Sequence, residues 1–241
     1  MKVLFVTGCP RSGTSFYGIH VLKNVQGFYV TEENNEPSIL HDAQYYYMSN
    51  HKNYQIFLDV FMKFLSDTYK KLENPEDWIV IKQPYFSYIL PEISALPIPE
   101  SKILITQRPF EEIFNSRMNF KNSISQVIDS YESTWLKLYG LDLSHEWEAG
   151  SIEDRMKIYI TNQQKIEKDF MHLCIQIQYG NNLAFNKKFV AELKLSQTQI
   201  ININNNFTDL WQDEGFKEFK IKNKIDAEKF IEENNIKISE V

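Results

Sequence analysis

A short loop with one cation follows the first apolar run of the chain. The run Lys2–Thr7 is typical of a buried strand, and residues 15–24 have apolar side chains at helical spacing. Between them lies Gly8-Cys9-Pro10-Arg11-Ser12-Gly13-Thr14-Ser15. A loop between a strand and a helix directs successive backbone N–H groups towards an anion. The pattern therefore predicts a phosphate site at Arg11, Ser12, Gly13, Thr14 and Ser15.

The position of the cation in this loop separates two classes of nucleotide enzyme. Gly8 and Gly13 have the spacing of a P-loop, but Thr14 stands where a P-loop has its lysine. That lysine reaches the β- and γ-phosphates of a nucleoside triphosphate. Here the cation is Arg11, which lies before the second glycine. This favours a shorter phosphate, with the cation near the bond that breaks.

A second arginine follows another apolar run. Residues 103–106 are typical of a strand, Arg108 comes soon after them, and Ser116 lies on the helical pattern that follows. An arginine suits a phosphate because its planar fork makes paired, charge-assisted hydrogen bonds. A serine on the next helix adds a hydroxyl donor. We expect Arg108 and Ser116 to bind a phosphate together.

A lysine ends a third apolar run. Residues 78–81 precede Lys82, and parallel sheets bind ligands at the carboxyl ends of their strands. Lys82 is therefore a candidate site residue, with a surface lysine as the alternative. The histidines of the chain show no ligand spacing with one another, with cysteines or with carboxylates, so no metal site is predicted.

The order of these motifs resembles that of the sulfotransferases that use 3'-phosphoadenylyl sulfate (PAPS). Pro10-Arg11-Ser12-Gly13-Thr14-Ser15 resembles the family's 5'-phosphosulfate loop, P-[RK]-x-G-[ST]-[ST]. Arg108 and Ser116 resemble the pair that holds the 3'-phosphate. The resemblance spans residues 2–195 and is closest to the small bacterial-type and tyrosylprotein-like branches. It implies PAPS as donor, 3'-phosphoadenosine 5'-phosphate (PAP) as product, and sulfuryl transfer to an acceptor hydroxyl or amine by in-line displacement.

The resemblance also implies catalytic roles. Lys82 and Arg11 would act beside the oxygen that leaves with the nucleotide. Pro84 stands where the phenol and steroid branch has its histidine base. In the glutamate-using branches the base lies just after the first helix, and Thr31-Glu32-Glu33-Asn34 resembles the Gly-Glu-Glu-Thr of that region. The candidate bases are Glu32, then Glu33, then Glu36, with His41 and His51 as further alternatives.

Aromatic residues before Lys82 are candidates for the acceptor pocket. They are Tyr45-Tyr46-Tyr47-Met48 and the apolar face of the helical pattern that follows. Aromatic walls suit sugars, phenols and lipids alike, so we expect a small-molecule, saccharide or lipid acceptor. Core packing is the alternative, and it is favoured for Phe57, Phe61 and Phe64.

Strand-like runs alternate with helical patterns along the chain. This alternation predicts an α/β fold with a doubly wound parallel sheet of about five strands, in a single domain of residues 1–241. An Asn-rich segment, residues 202–206, is expected to be a loop. The charged tail from Lys217 is expected to be a surface helix or partly disordered. Further strands are predicted at residues 28–31 and 172–177, and helices at residues 54–72, at Phe110–Met118 and from Lys187.

Composition excludes several classes of protein. The 241 residues carry a net charge of −6, 43% hydrophobic residues and two cysteines. The length suits one α/β domain. The acidic balance, without a Lys/Arg run, disfavours nucleic acid as a partner. Cys9 and Cys174 are too few for a disulfide framework. No signal peptide or transmembrane run is visible, so a cytoplasmic protein is expected.

Two other functions fit part of the same pattern. A P-loop kinase or other phosphotransferase would bind ATP with Mg²⁺, although it would lack its lysine. A non-catalytic nucleotide-binding module would bind PAP without turnover. Nucleotide preference separates the first from a sulfotransferase, and only activity separates the second.

Overall fold

A parallel sheet of five strands forms the centre of the computed structural model, which describes residues 1–31, 38–49, 53–118, 147 and 149–212. The strand order is β2-β3-β1-β4-β5, and every pairing is parallel. This confirms the predicted α/β fold with a doubly wound sheet. The strands are β1 Lys2–Thr7, β2 Phe28–Val30, β3 Trp78–Lys82, β4 Glu100–Gln107 and β5 Ile175–Gln178.

Helices cover both faces of the sheet because the three central strands, β1, β3 and β4, have apolar residues on both sides. A π-helical segment, Phe16–Val21, follows β1, and 3-10 turns occupy Pro84–Ile89, Met171–Leu173 and Leu183–Phe185. The α-helices are α1 Ser38–Ser49, α2 Tyr54–Tyr69, α3 Leu90–Ser94, α4 Phe110–Met118, α5 Ile152–Phe170, α6 Lys187–Leu193 and α7 Gln197–Gln212.

Alternate residues of the strands enter two separate cores. Val6, Val80 and Leu104 pack with the π-helical segment, α6 and α7 on one face. On the other face, residues such as Phe5 and Ile105 pack with α1, α2 and α3. A parallel strand that is buried on both faces has this nearly continuous apolar sequence.

A change of direction in the chain opens a crevice between β1 and β4. These strands are neighbours, but the segment after β1 packs in the first core, whereas α4 packs with α5 in a separate cluster. In open α/β sheets, ligands bind in the crevice where consecutive connections leave to opposite faces. The loop after β1 (residues 8–15), called the first loop below, and Arg108 both lie at this edge.

The Asn-rich segment was expected to be a loop, and that prediction is wrong. Residues 202–206 lie inside α7. Ile200, Ile203 and Phe207 are buried at helical spacing, and their packing outweighs the turn preference of the asparagines. The strand predicted at residues 172–177 begins later, at Ile175, because a 3-10 turn precedes it.

Other boundaries agree closely with the sequence. β1 and α4 have the predicted limits, and the third and fourth runs form β3 and β4. The predicted helix at residues 54–72 ends earlier, at Tyr69. The tail from Lys217 lies outside the described residues. Within the described ranges, no helix combines the length and apolar character needed to cross a bilayer.

We predict that α7 stabilises the segment after β1 through one asparagine. The Asn206 side-chain amide donates to the carbonyls of Val21 and Lys23 at 3.0 and 2.9 Å. Asn206→Ala should lower the free energy of unfolding by about 1–3 kcal/mol, because two hydrogen bonds are lost. Asn205→Ala is the matched control, since Asn205 is exposed on the same helix. Equal changes in urea denaturation of the two variants would contradict this role.

Candidate functional site

The backbone of the first loop turns sharply at several positions. Gly8, Arg11 and Gly13 all have positive φ, at 138°, 78° and 105°. The Ser12 N–H donates to the Cys9 carbonyl at 2.8 Å, and the Tyr17 N–H donates to Gly13 at 3.0 Å as the helical segment begins. A positive φ at a residue other than glycine is strained, and such strain is concentrated at functional sites. Arg11 is therefore held in its position by the surrounding loop.

Buried hydroxyl groups attach the first loop to its neighbouring strands. The Ser12 and Thr106 hydroxyls are 2.7 Å apart, and the Thr106 hydroxyl donates to the Thr7 carbonyl at 3.2 Å. The only hydroxyl proton of Thr106 is used in its hydrogen bond to the Thr7 carbonyl. The Ser12 hydroxyl must therefore donate to the Thr106 oxygen. The Thr7 hydroxyl donates to the Pro84 carbonyl at 2.9 Å. The Ser12 side chain thus anchors the loop, and the buried Thr14 and half-buried Ser15 lie beside it.

The structure brings the two predicted phosphate motifs together. Arg11 Nε donates to Ser116 Oγ at 3.1 Å, and an Arg108 guanidinium N–H donates to the Arg11 carbonyl at 3.3 Å. Arg11 and Ser116 are 105 positions apart in sequence. The two motifs were predicted from separate segments of the sequence. It is therefore the fold, and not their spacing in the sequence, that brings them into contact.

Arg108 is held from two sides at the carboxyl end of β4. Its Nε forms an ion pair with Glu112 at 2.9 Å, and its guanidinium carbon lies 4.5 Å from the centre of the Tyr179 ring. The side chain is only 12% exposed. Gln164 donates to the Arg108 carbonyl at 3.0 Å, which fixes the backbone as well. These contacts orient the guanidinium before any ligand binds.

Neighbouring cations give the site a positive potential. The pKa of Arg11 is lowered, first by partial burial and then by the charges of Arg117 and Arg108. A guanidinium stays protonated at neutral pH despite such a shift. Positive charges that destabilise one another in this way are stabilised by an anion. The cluster is therefore suited to phosphate or sulfate.

Tyr179 is a site residue that the motif search missed. It follows β5 directly, and its ring carbon lies 2.5 Å from the place where a side chain on Gly13 would begin. Its ring also packs edge-on against Phe16 and Trp211. The available signal was its position, because the carboxyl ends of all parallel strands meet at the same edge.

Lys82 ends β3 and Gln83 follows it, and both residues are buried. Lys82 is 8% exposed, which excludes the surface lysine considered as an alternative. It pairs in register with Val6, and its Cβ lies 3.1 Å from the position that a Cβ on Gly18 would occupy. Gln83 is fully buried, and neither polar atom of its side chain has a hydrogen-bond partner within the described structure. Such orphaned groups are rare and are often explained by a ligand or a water.

The structure describes only some of the residues that were predicted as bases or as part of the acceptor pocket. Glu32, Glu33, Glu36 and His51 lie outside the described residues. His41 lies on α1 against the Tyr85 ring. Of the aromatic residues, Tyr45 and Tyr46 are exposed on α1 and Phe64 is partly buried, whereas Tyr47, Phe57 and Phe61 belong to the core.

A cavity of about 320 Å³ lies between the first loop, the end of β4 and α5. It has polar and charged walls, which include Ser12, Arg108, Glu167 and Lys168. In the part of the chain that is described, no group of His, Cys, Asp and Glu residues is arranged to hold a metal ion.

Two comparisons of the sequence with known proteins gave no match. A scan against protein-family models and a search of curated proteins both found no match. The functional assignment therefore depends on the motifs and on the geometry that brings them together.

We predict that Gly13 is required because Tyr179 packs on it. Gly13→Ala should destabilise the protein, by about 1–3 kcal/mol for the positive φ and by a further amount for the contact with the ring. In a Tyr179→Ala background only the first part remains, so the cost of Gly13→Ala should be smaller. Thermal unfolding of the four proteins in this double-mutant cycle measures the difference. An equal cost in both backgrounds would show that the ring does not limit residue 13.

Proposed function

We propose that this protein is a sulfotransferase that transfers a sulfuryl group from PAPS to an acceptor hydroxyl or amine. The observation that carries the proposal is the contact between the two phosphate motifs, in which Arg11 bonds Ser116 and Arg108 bonds the first loop. PAP has two separate phosphate groups, and a site for it needs two sets of donors close together. Guanidinium and hydroxyl donors are chemically suited to both.

The two motifs take different phosphates in this proposal. Backbone N–H groups of the first loop and Arg11 bind the 5'-phosphosulfate. Arg108 and Ser116 bind the 3'-phosphate. The ion pair with Glu112 and the contact with Tyr179 orient Arg108 in advance, which reduces the entropy lost on binding.

Charge stabilisation is the main catalytic task of the chain. When PAPS is bound, the acceptor oxygen forms a bond to sulfur while the bond from sulfur to the phosphate oxygen breaks, and PAP leaves with the electron pair. Arg11 and Lys82 stabilise the negative charge that develops on that oxygen. A carboxylate among Glu32, Glu33 and Glu36 takes the acceptor proton; this assignment remains a prediction from sequence.

Nucleotide preference separates this function from its rivals. A ligand that binds only the native state raises the melting temperature, so a thermal-shift screen should include PAP, AMP, GTP, NAD and ATP with Mg²⁺. A sulfotransferase should respond most to PAP, whereas a kinase should respond most to ATP with Mg²⁺. Release of PAP from PAPS in the presence of sugars, phenols and long-chain alcohols then separates an enzyme from a binding module.

We predict that Arg108 distinguishes PAP from AMP. Arg108→Ala should weaken PAP binding roughly tenfold or more, because a charge-assisted contact contributes about 1.5–3 kcal/mol. Binding of AMP, which has no 3'-phosphate, should change little, and it is the internal control. Isothermal titration calorimetry measures both affinities. Equal affinity of the wild-type protein for PAP and AMP would contradict the assignment of the second motif.

We predict that Lys82 acts on the reaction more than on binding. Lys82→Met retains the apolar stem, so the fold and the affinity for PAPS, whose bridging oxygen is not yet charged, should be nearly unchanged, while turnover falls by about 10²–10³. Lys102→Met is the control, since Lys102 is a strand lysine whose register partner Leu4 lies in the middle of β1. The measurement is the rate of PAP release with an active acceptor. Unchanged turnover in Lys82→Met would show that this lysine is structural.

A further inference from the structure

A buried carboxyl group lies behind the first loop and has no part in the proposed reaction. Glu167 on α5 is 3% exposed. The Cys9 backbone N–H and the Ser87 hydroxyl lie within hydrogen-bonding reach of its carboxyl. Gln163 Nε2 lies 3.3 Å from Glu167 Oε1. Because Cys9 belongs to the first loop, Glu167 contacts directly the segment that is proposed to hold the phosphosulfate.

The hydrogen bonds around Ser87 fit a protonated Glu167. The Ser87 hydroxyl donates to the Pro84 carbonyl at 3.0 Å and accepts from Gln163 Nε2 at 2.8 Å. Ser87 has one proton and two lone pairs, so one lone pair remains for a donor on Glu167. A carboxylic acid supplies that donor, and its other oxygen accepts from Cys9 and Gln163. A carboxylate would instead require Ser87 to give up its bond to Pro84.

The hydrogen bonds around Ser87 also connect to the first loop through the Pro84 carbonyl. The Pro84 carbonyl also accepts the Thr7 hydroxyl at 2.9 Å, and Thr7 is the residue before the loop. Tyr88 fixes Gln163 by donating to its Oε1 at 3.1 Å. Ionisation of Glu167 would therefore disturb both the Cys9 contact and the Pro84 junction.

The surroundings favour the neutral acid. Burial raises the pKa of Glu167 to about 8, although the hydrogen bonds that its carboxyl accepts from Gln163 and from the Cys9 backbone oppose this shift. The groups that face it also have raised pKa values because of burial: the Cys9 thiol, the Tyr88 hydroxyl and the Cys174 thiol. The nearby cations and remaining phenol are Arg117, Arg108, Lys168 and Tyr159.

We propose that Glu167 is a positioning residue that holds the first loop as a neutral carboxylic acid, and that its ionisation weakens the binding of a phosphate anion there. Ionisation of Glu167 would weaken anion binding through two effects. The negative charge repels the anion through a buried region of low dielectric constant, and the change at Ser87 loosens the loop. Only the identity of the anion, PAP, rests on the proposed function.

The effect on stability has a definite sign. A carboxyl with a raised folded-state pKa holds its proton in the native protein while the unfolded chain has lost it. Stability therefore falls as pH rises from the unfolded pKa to the folded one, and the difference is constant above that. Glu167→Gln is a permanent neutral isostere of the acid and lacks this dependence. Its melting temperature relative to wild type should rise by several degrees between about pH 5 and about pH 8.

The binding experiment compares the affinity for PAP at about pH 7 and about pH 9 by calorimetry. Wild-type affinity should fall up to about tenfold over this range, because PAP binding favours the protonated form. Glu167→Gln should lose much less. Glu153→Gln, an exposed change on the same helix, should behave like wild type. The phosphate groups of the ligand have a second pKa of about 6, and the small change in their ionisation over this range contributes equally to all three proteins.

Several outcomes would overturn the proposal separately from the proposed function. Equal pH dependence in wild type and Glu167→Gln, with PAP bound by both, would show that Glu167 does not influence the loop. Absence of PAP binding at either pH would contradict the proposed function, and the unfolding measurements would still test Glu167. Wild type alone offers a further check, since PAP binding near pH 8.5 should take up protons when measured in buffers of different ionisation enthalpy. No proton uptake would contradict the proposal.

Discussion

The hydrogen bonds that join Thr7, Thr106 and Pro84 are the constraint on which the rest of the site depends. They link the ends of β1, β4 and β3 at one point beneath the first loop. Each of these groups is buried, where an unpaired hydroxyl or carbonyl would cost about 1–3 kcal/mol. The three strand ends are therefore fixed relative to one another. This also fixes the relative positions of the side chains at these strand ends. Arg11 and Arg108 follow β1 and β4, and Lys82 is the last residue of β3.

The cation cluster shows how the fold maintains a charge distribution that is unfavourable by itself. Arg11 and Arg108 would repel each other in a flexible chain, and folding holds them in contact through Ser116 and the loop carbonyl. Glu112 and the Tyr179 ring offset part of this repulsion at Arg108. The remaining positive potential can be used for binding an anion, so the site gains affinity at a cost in stability.

The sequence predicted the sheet and the segments of the site better than it predicted their contacts. Continuous apolar runs such as β1 and β4 have few alternatives to a buried parallel strand. The limits of α4 followed from the helical pattern of residues 110–118. In contrast, α7 contains asparagines whose local preference is for turns, and only the tertiary burial of Ile203 and Phe207 makes it helical. Local preference is a weak guide where packing decides.

The contrast between local sequence signals and tertiary packing also explains which residues of the candidate site were predicted. Arg11 and Arg108 belong to motifs with a fixed spacing, so the sequence alone identified them. Tyr179 and Glu167 have no such signal: one acts through contact with a glycine in another element, and the other through the Cys9 backbone. A glutamate in the middle of an amphipathic helix is normally exposed. Only the three-dimensional arrangement shows that this one is buried behind the loop.

The packing of Gly13 on Tyr179, and of Tyr179 on Trp211, has a consequence for the order of folding during synthesis. β1 and the first loop leave the ribosome well before residue 179, whose ring supports the loop, and before the helix behind that ring, which ends at residue 212. The central strand β1 can pair with β3 and β4 once residue 107 has been made, but the first loop must wait for Tyr179 and α7 before its support is complete. A topology with such long-range contacts folds slowly and leaves apolar strands exposed in the meantime.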